Sequence, residues 1–138
     1  MTSPFVFSIR RVYVERILAP PGDPWKKGVE YRTRRPSVED GETILIYETA
    51  PTMRVVARAS VKSIIAGKPA DVWARTREVG GVTAEEFDLY FEGRAMAYAL
   101  ELASVVRLDA PRRLPPCMSP PQSWARWRGP WPLEGVTP

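Results

Sequence analysis

Hydrophobic and polar positions alternate in several short segments of the chain, and turns rich in proline and glycine separate them. Residues 4–10 (PFVFSIR) and 29–34 (VEYRTR) are typical of strands, while residues 43–49 (TILIYET) have so few polar positions that we expect a strand buried on both faces. Residues 53–65 alternate between polar side chains and an apolar face, which predicts a half-buried antiparallel strand with an inner row of Val55, Ala57, Ala59 and Val61.

Helical patterns lie between these strands. Residues 11–18 (RVYVERIL) predict a short helix after the first strand, and residues 67–79 predict a second helix with Pro69 in its first turn. Thr83 and Glu86 fit a capping box at the start of a third helix. We expect Gly93 to end this helix and its apolar side to contain Phe87, Leu89, Tyr90 and Phe91.

A last strand is expected at residues 95–108 (AMAYALELASVVRL), where small alanines indicate close packing against another element. The order of elements is then strand, helix, three strands, two helices and a strand. This order predicts one α+β domain in which a small mixed β-barrel carries short flanking helices.

The composition shifts at Pro111: residues 111–138 hold eight of the 15 prolines and three of the five tryptophans. We expect this part to run over the surface in extended form without adding a regular element. The domain is predicted to span residues 1–124, and residues 125–138 a C-terminal tail. The alternating Trp and Arg of this region suit single-stranded nucleic acid, but a segment folding back over an edge strand, above all through Trp124, would look the same.

The composition excludes several kinds of chemistry. The 138 residues are 44% hydrophobic and 26% charged, as in a globular domain, and neither a secretory signal nor a membrane-spanning run is recognisable, so we expect a cytoplasmic protein. One cysteine and no histidine exclude an internal disulfide, a Cys/His zinc site and a histidine general base. We therefore expect no metal and no cofactor.

Positive charge is concentrated in two places, although the net charge is only +4. Residues 10–35 contain eight basic side chains against three acidic ones, and residues 111–138 contain four against one. Such clusters suit a polyanionic partner because Lys and Arg displace the counterions of phosphates. A solvated strand face would have the same charge pattern.

An ordered series of segments resembles the ASCH family of the PUA-like superfamily over about residues 5–124. The series consists of FSIR, ERIL, KGVEYRTRRP, GETILIYETAP, VVARASVKSII, GVTAEEFDLYFEGRAMAYALEL and PPQSW. The family signature places a glycine, a lysine, a glutamate and an arginine at fixed spacing. Lys27, Glu30 and Arg32 match it, whereas Trp25 stands at the glycine position after a loop that is longer than usual.

The resemblance implies a small β-barrel associated with recognition of RNA or of a modified nucleobase, with these three side chains in or beside a cleft. On a strand Glu30 and Arg32 share a face, and Lys27 joins them only if the chain kinks near Gly28. Arg32 and Lys27 would then contact phosphate or base, and Glu30 would orient them or read the base. The alternative is a surface Glu–Arg pair that contributes little energy.

The predicted partner is therefore RNA, single-stranded nucleic acid or a nucleotide, with no membrane contact. Further side chains offer stacking, phosphate contacts or hydrogen bonds to a base. These additional candidates are Tyr31, Arg34, Tyr47, Gln122, Ser123 and Trp124.

A small hydrolase that uses Lys27 is the alternative function. Some ASCH relatives resemble this chain and remove an acetyl group from N4-acetylcytidine with a lysine, a threonine and a glutamate, and these positions fall on Lys27, on Glu30 and near Gly80. Two of those three roles are therefore unfilled. Other relatives are assigned ribonuclease activity, for which Lys27, Tyr47 and Ser123 could form a group.

Overall fold

Nine regular elements follow one another in residues 2–133, the part of the chain that the computed structural model describes. Residues 134–138 of the predicted tail lie outside the described part. The predicted order of strands and helices is confirmed, and one short strand is added after it. The elements are β1 (Phe5–Ile9), α1 (Arg11–Ile17), β2 (Val29–Arg32), β3 (Thr43–Glu48), β4 (Arg54–Gly67), α2 (Pro69–Thr76), α3 (Ala84–Tyr90), β5 (Ala97–Arg112) and β6 (Trp124–Arg126).

All six of these strands form one mixed sheet in the order β2-β5-β4-β3-β1-β6. The β1–β3 pair is parallel and the other pairs are antiparallel. The sheet curls into a half-barrel. The curl brings Arg32, on the edge strand β2, to the carbonyl oxygen of Ser8 on β1, near the other side of the sheet. The predicted α+β fold with a mixed, barrel-like sheet and short flanking helices is thus confirmed.

Alternation along the strands divides the core between the two faces of the sheet. On β3, Ile44 and Ile46 belong to the cluster that also contains Phe7 and Leu100, whereas Tyr47 belongs to a cluster with Met118 and Trp127 on the opposite face. A third cluster packs α2 and α3 against the alanines of β5, as the small side chains predicted. The side chains of β3 are therefore buried on both faces, also as predicted.

The segment after residue 108 is more regular than predicted. Strand β5 continues through Pro111, which a sheet tolerates there because this end of β5 pairs with β4 alone. After a loop, β6 pairs with β1, and Trp124 stacks on Phe7 with 5.8 Å between ring centroids. The expectation that no regular element follows was wrong, and the interpretation of Trp124 as cover for an edge strand is confirmed.

Helix α3 begins at the predicted capping box. The Glu86 backbone N–H donates to Thr83 Oγ1, and the Thr83 backbone N–H donates to the Glu86 carboxylate. Phe87 and Phe91 are buried, but Leu89 is 73% exposed, because it lies two positions from Phe87 and so on the other side of the helix. No helix in residues 2–133 is long and apolar enough to cross a membrane.

Candidate functional site

A cavity of about 420 Å³ lies where β1, α1, β2 and α3 meet the segment that precedes β6. Its wall combines buried charges from β2 with aromatic rings from α1 and α3. Cavities of this size are in the range that holds small ligands. The residues that line the cavity are Ser8, Ile9, Arg10, Tyr13, Lys27, Glu30, Tyr31, Arg32, Thr49, Val82, Glu86, Phe87, Tyr90, Pro121 and Gln122.

Glu30 and Arg32 form a buried ion pair on the wall of this cavity. Arg32 Nη2 donates to Glu30 Oε2 at 2.9 Å and to the Ser8 carbonyl at 3.0 Å. Arg32 Nη1 donates to the Ser123 carbonyl at 3.5 Å, and the guanidinium carbon lies 5.2 Å from the centre of the Phe7 ring. The Nε atom of Arg32 is buried without a hydrogen-bond partner. The guanidinium thus joins β2 to β1 and to the segment before β6.

Lys27 is the second buried cation, and only 2% of it is exposed. Its Nζ atom donates to the Gly80 carbonyl at 3.0 Å and lies 3.8 Å from Glu30 Oε1. The rings of Tyr31 and Tyr13 approach the ammonium group at 4.6 Å and 5.4 Å from their centres. Burial lowers the pKa of Lys27 below its ordinary value, and the Glu30 carboxylate partly opposes this shift.

The backbone before β2 turns Lys27 into the cavity. The Lys27 N–H donates to the Arg16 carbonyl at 2.9 Å, and the Gly28 N–H donates to the Val79 carbonyl at 2.7 Å, so regular pairing on β2 begins only at Val29. Lys27 therefore lies beside Glu30 although it is three positions away. The expected approach of Lys27 to Glu30 is thus present, with 3.8 Å between Nζ and Oε1.

Gly80 and Gly81 make room for this arrangement. A Cβ atom at Gly81 would lie 2.5 Å from the Cβ of Lys27, and one at Gly80 would collide with the hydroxyl of Tyr31. Gly81 also has a φ of +63°, which favours glycine. Its carbonyl accepts a hydrogen bond from Arg16 Nη1 at 2.9 Å. The carbonyl of Gly80 thus accepts from Lys27 and the carbonyl of Gly81 from Arg16.

Arg16 holds the outer part of the site together. Its Nη1 atom also lies 3.3 Å from Glu86 Oε2 and its guanidinium carbon lies 4.3 Å from the centre of the Trp25 ring. The hydrogen bond from the Thr83 backbone N–H is the main cause that lowers the pKa of Glu86. Partial burial raises the pKa of Tyr90, which lines the cavity beside Arg32 and Glu30. The cavity is thus lined by a carboxylate that is paired with Arg16 and by the phenol of Tyr90.

Five of the nine predicted site residues line this cavity: Lys27, Glu30, Tyr31, Arg32 and Gln122. Tyr31 contributes less open surface than expected, because its hydroxyl is hydrogen-bonded to Thr76 Oγ1 at 2.7 Å and its ring packs edge-on against Phe87. Arg32 and Glu30 together form the predicted carboxylate–guanidinium arrangement. It is a buried pair and not the surface pair that was the alternative.

The other four predicted residues do not line the cavity. Tyr47 is buried in the cluster on the opposite face of the sheet, since alternation on β3 turns it away. Trp124 stacks on Phe7, and the guanidinium carbon of Arg34 lies 5.1 Å from the centre of the Trp124 ring. The predicted residues Arg34 and Trp124 therefore contact each other. Ser123 contributes its backbone carbonyl as an acceptor for Arg32 and for the Ser8 N–H. The proposed grouping of Lys27 with Tyr47 and Ser123 side chains is not found.

Several lining residues were missed by the sequence arguments. Tyr13 and Tyr90 face the cavity from helices, Ser8 and Thr49 from the ends of strands, and Arg10 from the start of α1. Local spacing carries no signal for their convergence, because each belongs to a different element. Arg10, in the basic segment 10–35, was the only one with a related signal.

The wall of the cavity carries fixed hydrogen-bond donors, whose chemistry suits an anion or a polar ring. Its cations are held by carbonyl oxygens and by Glu30, and its aromatic rings offer flat surfaces next to them. Within residues 2–133 no three His, Cys, Asp or Glu side chains are grouped so that they could hold a metal ion. The ionisable groups on the cavity wall are a lysine, two arginines, two carboxylates and three phenols.

Comparisons with known proteins identify the family. The model of a domain of unknown function, DUF365, matches residues 3–118. An ASCH domain-containing ribonuclease of Zymomonas mobilis is 32% identical over 108 residues, which are 73% of each protein. The ribosomal protein uL22 of the large subunit of Ureaplasma parvum is 28% identical over 71 residues, which are 51% of this chain but only 23% of that protein.

Solved structures agree with this match. The crystal structure of ASCH from Zymomonas mobilis superimposes with a TM-score of 0.80 at 26% identity, covering 91% of this chain and 88% of that one. A tyrosine-to-phenylalanine variant of that protein gives 0.80 at 25% identity, with 91% of each chain covered. The sequence resemblance and the half-barrel are thus supported independently, and the chain belongs to the ASCH domain family, with which the DUF365 match is consistent.

Proposed function

We propose that this chain binds single-stranded RNA and holds one nucleotide in the cavity beside Lys27, Glu30 and Arg32. The observation that carries the proposal is the burial of two cations and one carboxylate on the wall of a cavity of about 420 Å³. Buried ion clusters seldom stabilise a fold more than apolar residues of the same size would. Their position on a cavity wall therefore favours a role in binding.

The chemistry of the wall suits a nucleotide. Arg32 and Lys27 present donors to a phosphate or to the acceptors of a base, and both oxygens of Glu30 face these cations, so Glu30 orients them. Tyr13 and Tyr90 provide aromatic surface for a base, unmodified or modified. Arg10, exposed at the start of α1, is placed for a neighbouring phosphate.

The names of the relatives add support. One relative is named a ribonuclease and another is a ribosomal protein, and both names point to RNA. The ribosomal match covers a minor part of that protein, so the ribonuclease match has more weight. A cytoplasmic location, expected from the sequence, fits this proposal.

Titrating a fluorescein-labelled RNA octanucleotide with the protein and following fluorescence anisotropy tests the proposal. We expect binding that weakens steeply between about 50 and 200 mM salt, since several phosphates are neutralised. Lys27→Met should weaken binding, whereas Lys62→Met, which removes the same charge from an exposed position on β4, should not. Equal affinity of the two variants would place the RNA elsewhere on the surface.

A ribonuclease activity is the second candidate, and the name of the Zymomonas mobilis relative favours it. Lys27 could act as the base, because burial lowers its pKa and so increases the neutral fraction of its amine. Incubating the labelled RNA with wild-type protein and Lys27→Met distinguishes binding from cleavage. Shorter products that appear with wild-type protein and not with Lys27→Met would establish a ribonuclease. RNA that wild-type protein binds and leaves intact would establish a binding module.

The amidohydrolase alternative has less support from the geometry. Position 30, where those relatives have threonine, carries a carboxylate bound to Arg32, and Gly80 has no side chain at the position of their glutamate. Incubation with N4-acetylcytidine provides the direct test. We expect no release of acetate.

A further inference from the structure

We infer that the cavity takes the base of the bound nucleotide and leaves the phosphate outside, so that the buried charges recognise a neutral ring and not an anion. The inference rests on the proposed function and deepens it, because that function alone leaves open which part of the nucleotide enters. The feature that distinguishes the two orientations is the carboxylate of Glu30, which lies between Lys27 and Arg32.

One oxygen of Glu30 is free to accept a hydrogen bond from a ligand. Oε2 accepts from Arg32 Nη2 at 2.9 Å, whereas Oε1 accepts no hydrogen bond from residues 2–133, since the Lys27 ammonium group is 3.8 Å away. Glu30 lines the cavity, and Oε1 is not sealed from it. A carboxylate oxygen can only accept, so a ligand that contacts Oε1 must bring an N–H or O–H group.

A phosphate would be repelled at this place. Lys27 and Arg32 each donate already to a backbone carbonyl, and Glu30 lies beside both of them. The Glu86 carboxylate adds a second negative charge to the lining of the cavity. A phosphate among these groups would therefore meet two carboxylates in a partly buried site, where like charges repel each other more strongly than in water.

The remainder of the wall suits the flat faces of a base. Tyr13 and Tyr90 contribute aromatic rings, and Ile9, Val82 and Phe87 contribute apolar surface. A base can stack on such rings and bury its faces against such surface. A phosphate gains nothing from these contacts and loses water to make them.

A base edge also matches the donor next to Glu30. Arg32 Nη1 has two N–H groups, and its contact with the Ser123 carbonyl is 3.5 Å long. Every base has an N–H group beside a carbonyl oxygen or a ring nitrogen, so one edge can donate to Glu30 Oε1 and accept from Arg32. The phosphate is then left for Arg10, which is exposed, lines the cavity and has no carboxylate within 4 Å in residues 2–133.

Isothermal titration calorimetry at constant ionic strength tests this orientation with the four ribonucleosides, their 5′-monophosphates and inorganic phosphate. We expect removal of the 5′-phosphate to weaken binding by no more than about 5-fold, the effect of one exposed ion pair. Inorganic phosphate should not displace the monophosphates. A larger loss for the nucleosides, or displacement by inorganic phosphate, would refute the orientation.

Glu30→Gln gives effects of opposite sign for the two orientations. The amide keeps an acceptor for Arg32 Nη2 but places an NH₂ group where Oε1 was, so we expect nucleosides to bind at least about 10-fold more weakly, as for loss of a hydrogen bond to a charged group. Unchanged or tighter binding would refute the inference, since a phosphate gains from removal of the negative charge. Glu85→Gln is the control, because it removes the same charge from an exposed position on α3 outside the cavity, and it should bind like wild type.

The outcomes separate this inference from the proposed function. If the wild-type protein binds nucleosides as expected but not the labelled RNA octanucleotide, the RNA proposal is wrong and the orientation stands. If it binds the octanucleotide but fails the nucleoside comparison, only the orientation is wrong. If it binds neither probe, both are wrong. The nucleoside comparison uses wild-type protein and so does not depend on the folding of Glu30→Gln.

Discussion

Arg32 and Lys27 are two buried cations beside the same carboxylate, yet we expect their removal to have different effects on stability. Arg32 Nη2 donates to Glu30 and also to the Ser8 carbonyl on β1, so it connects the edge strand β2 to the other side of the curled sheet. Lys27 has one hydrogen bond, to the Gly80 carbonyl, and a longer contact with Glu30. Replacing each of them by methionine shows how much the connection made by Arg32 and the Lys27–Glu30 contact each contribute to stability.

The expected magnitudes follow from what each substitution leaves behind. Arg32→Met leaves Glu30 buried with only Lys27, 3.8 Å away, and leaves the Ser8 carbonyl without this donor. Breaking a buried pair in this way costs about 3 to 5 kcal/mol. Lys27→Met leaves Glu30 bound to Arg32 at 2.9 Å, so we expect its free energy of unfolding to stay within about 1 kcal/mol of wild type.

Urea unfolding followed by circular dichroism, with thermal melts in parallel, measures the difference. For a domain of this size the cost at Arg32 corresponds to a melting temperature lower by about 10 °C or more. Arg11→Met is the control, because the Arg11–Glu15 pair is 3.1 Å long but more than half exposed, and it should change stability by about 0.5 kcal/mol at most.

The reasoning would be refuted if Arg32→Met unfolded within about 1 kcal/mol of wild type. The guanidinium would then not hold β2 to β1, and its burial would serve the ligand alone. A loss at Lys27→Met as large as that at Arg32→Met would also contradict it. In that case the ammonium group would be an essential partner of Glu30.

Three further predictions concern the same region. Because the pKa of Lys27 is lowered in the folded state, the unfolded state binds more protons between that pKa and 10.5, so the free energy of unfolding should rise with pH in this interval, and subtracting the pH profile of Lys27→Met isolates the rise. Gly81→Ala should destabilise by more than about 2 kcal/mol in urea unfolding because strain at its positive φ adds to the clash with Lys27, whereas Gly93→Ala, with a φ of +73° in open space, should cost about 1 to 2 kcal/mol. Arg10→Ala should make the slope of log affinity against log salt for RNA shallower by about 0.7, the value for one phosphate contact on a single strand, and an unchanged slope would remove Arg10 from the interface.

Most of the fold could be predicted because local patterns and global packing agree. Alternation located the strands, and the capping box at Thr83 located the start of α3. The extension of β5 and the strand β6 could not be predicted, because both depend on which strand lies alongside. The local sequence of WAR at β6 has no strand pattern, and pairing with β1 alone makes it regular.

The site was predictable only where its residues are neighbours in sequence. Lys27, Glu30 and Arg32 are within six positions, so one pattern selects all three. Tyr13 and Tyr90 come from helices far apart in the chain, and only tertiary packing brings them to the same cavity. The prediction that Tyr47 belongs to the site was wrong for another reason. A strand pattern shows that Tyr47 faces away from its two sequence neighbours, but it does not show which face of the strand meets the cavity.

The pairing of β6 with β1 has a consequence for the order in which the molecule assembles during translation. Among the described strands, β1 is synthesised first and its antiparallel partner β6 last. Pro121 and Gln122 line the cavity, and the Ser123 carbonyl accepts from Arg32. A nascent chain that has exposed everything up to β5 can thus pair five strands while the cavity still lacks one wall. Ribosome-bound chains stalled before residue 121 should be largely folded and yet unable to retain a nucleotide.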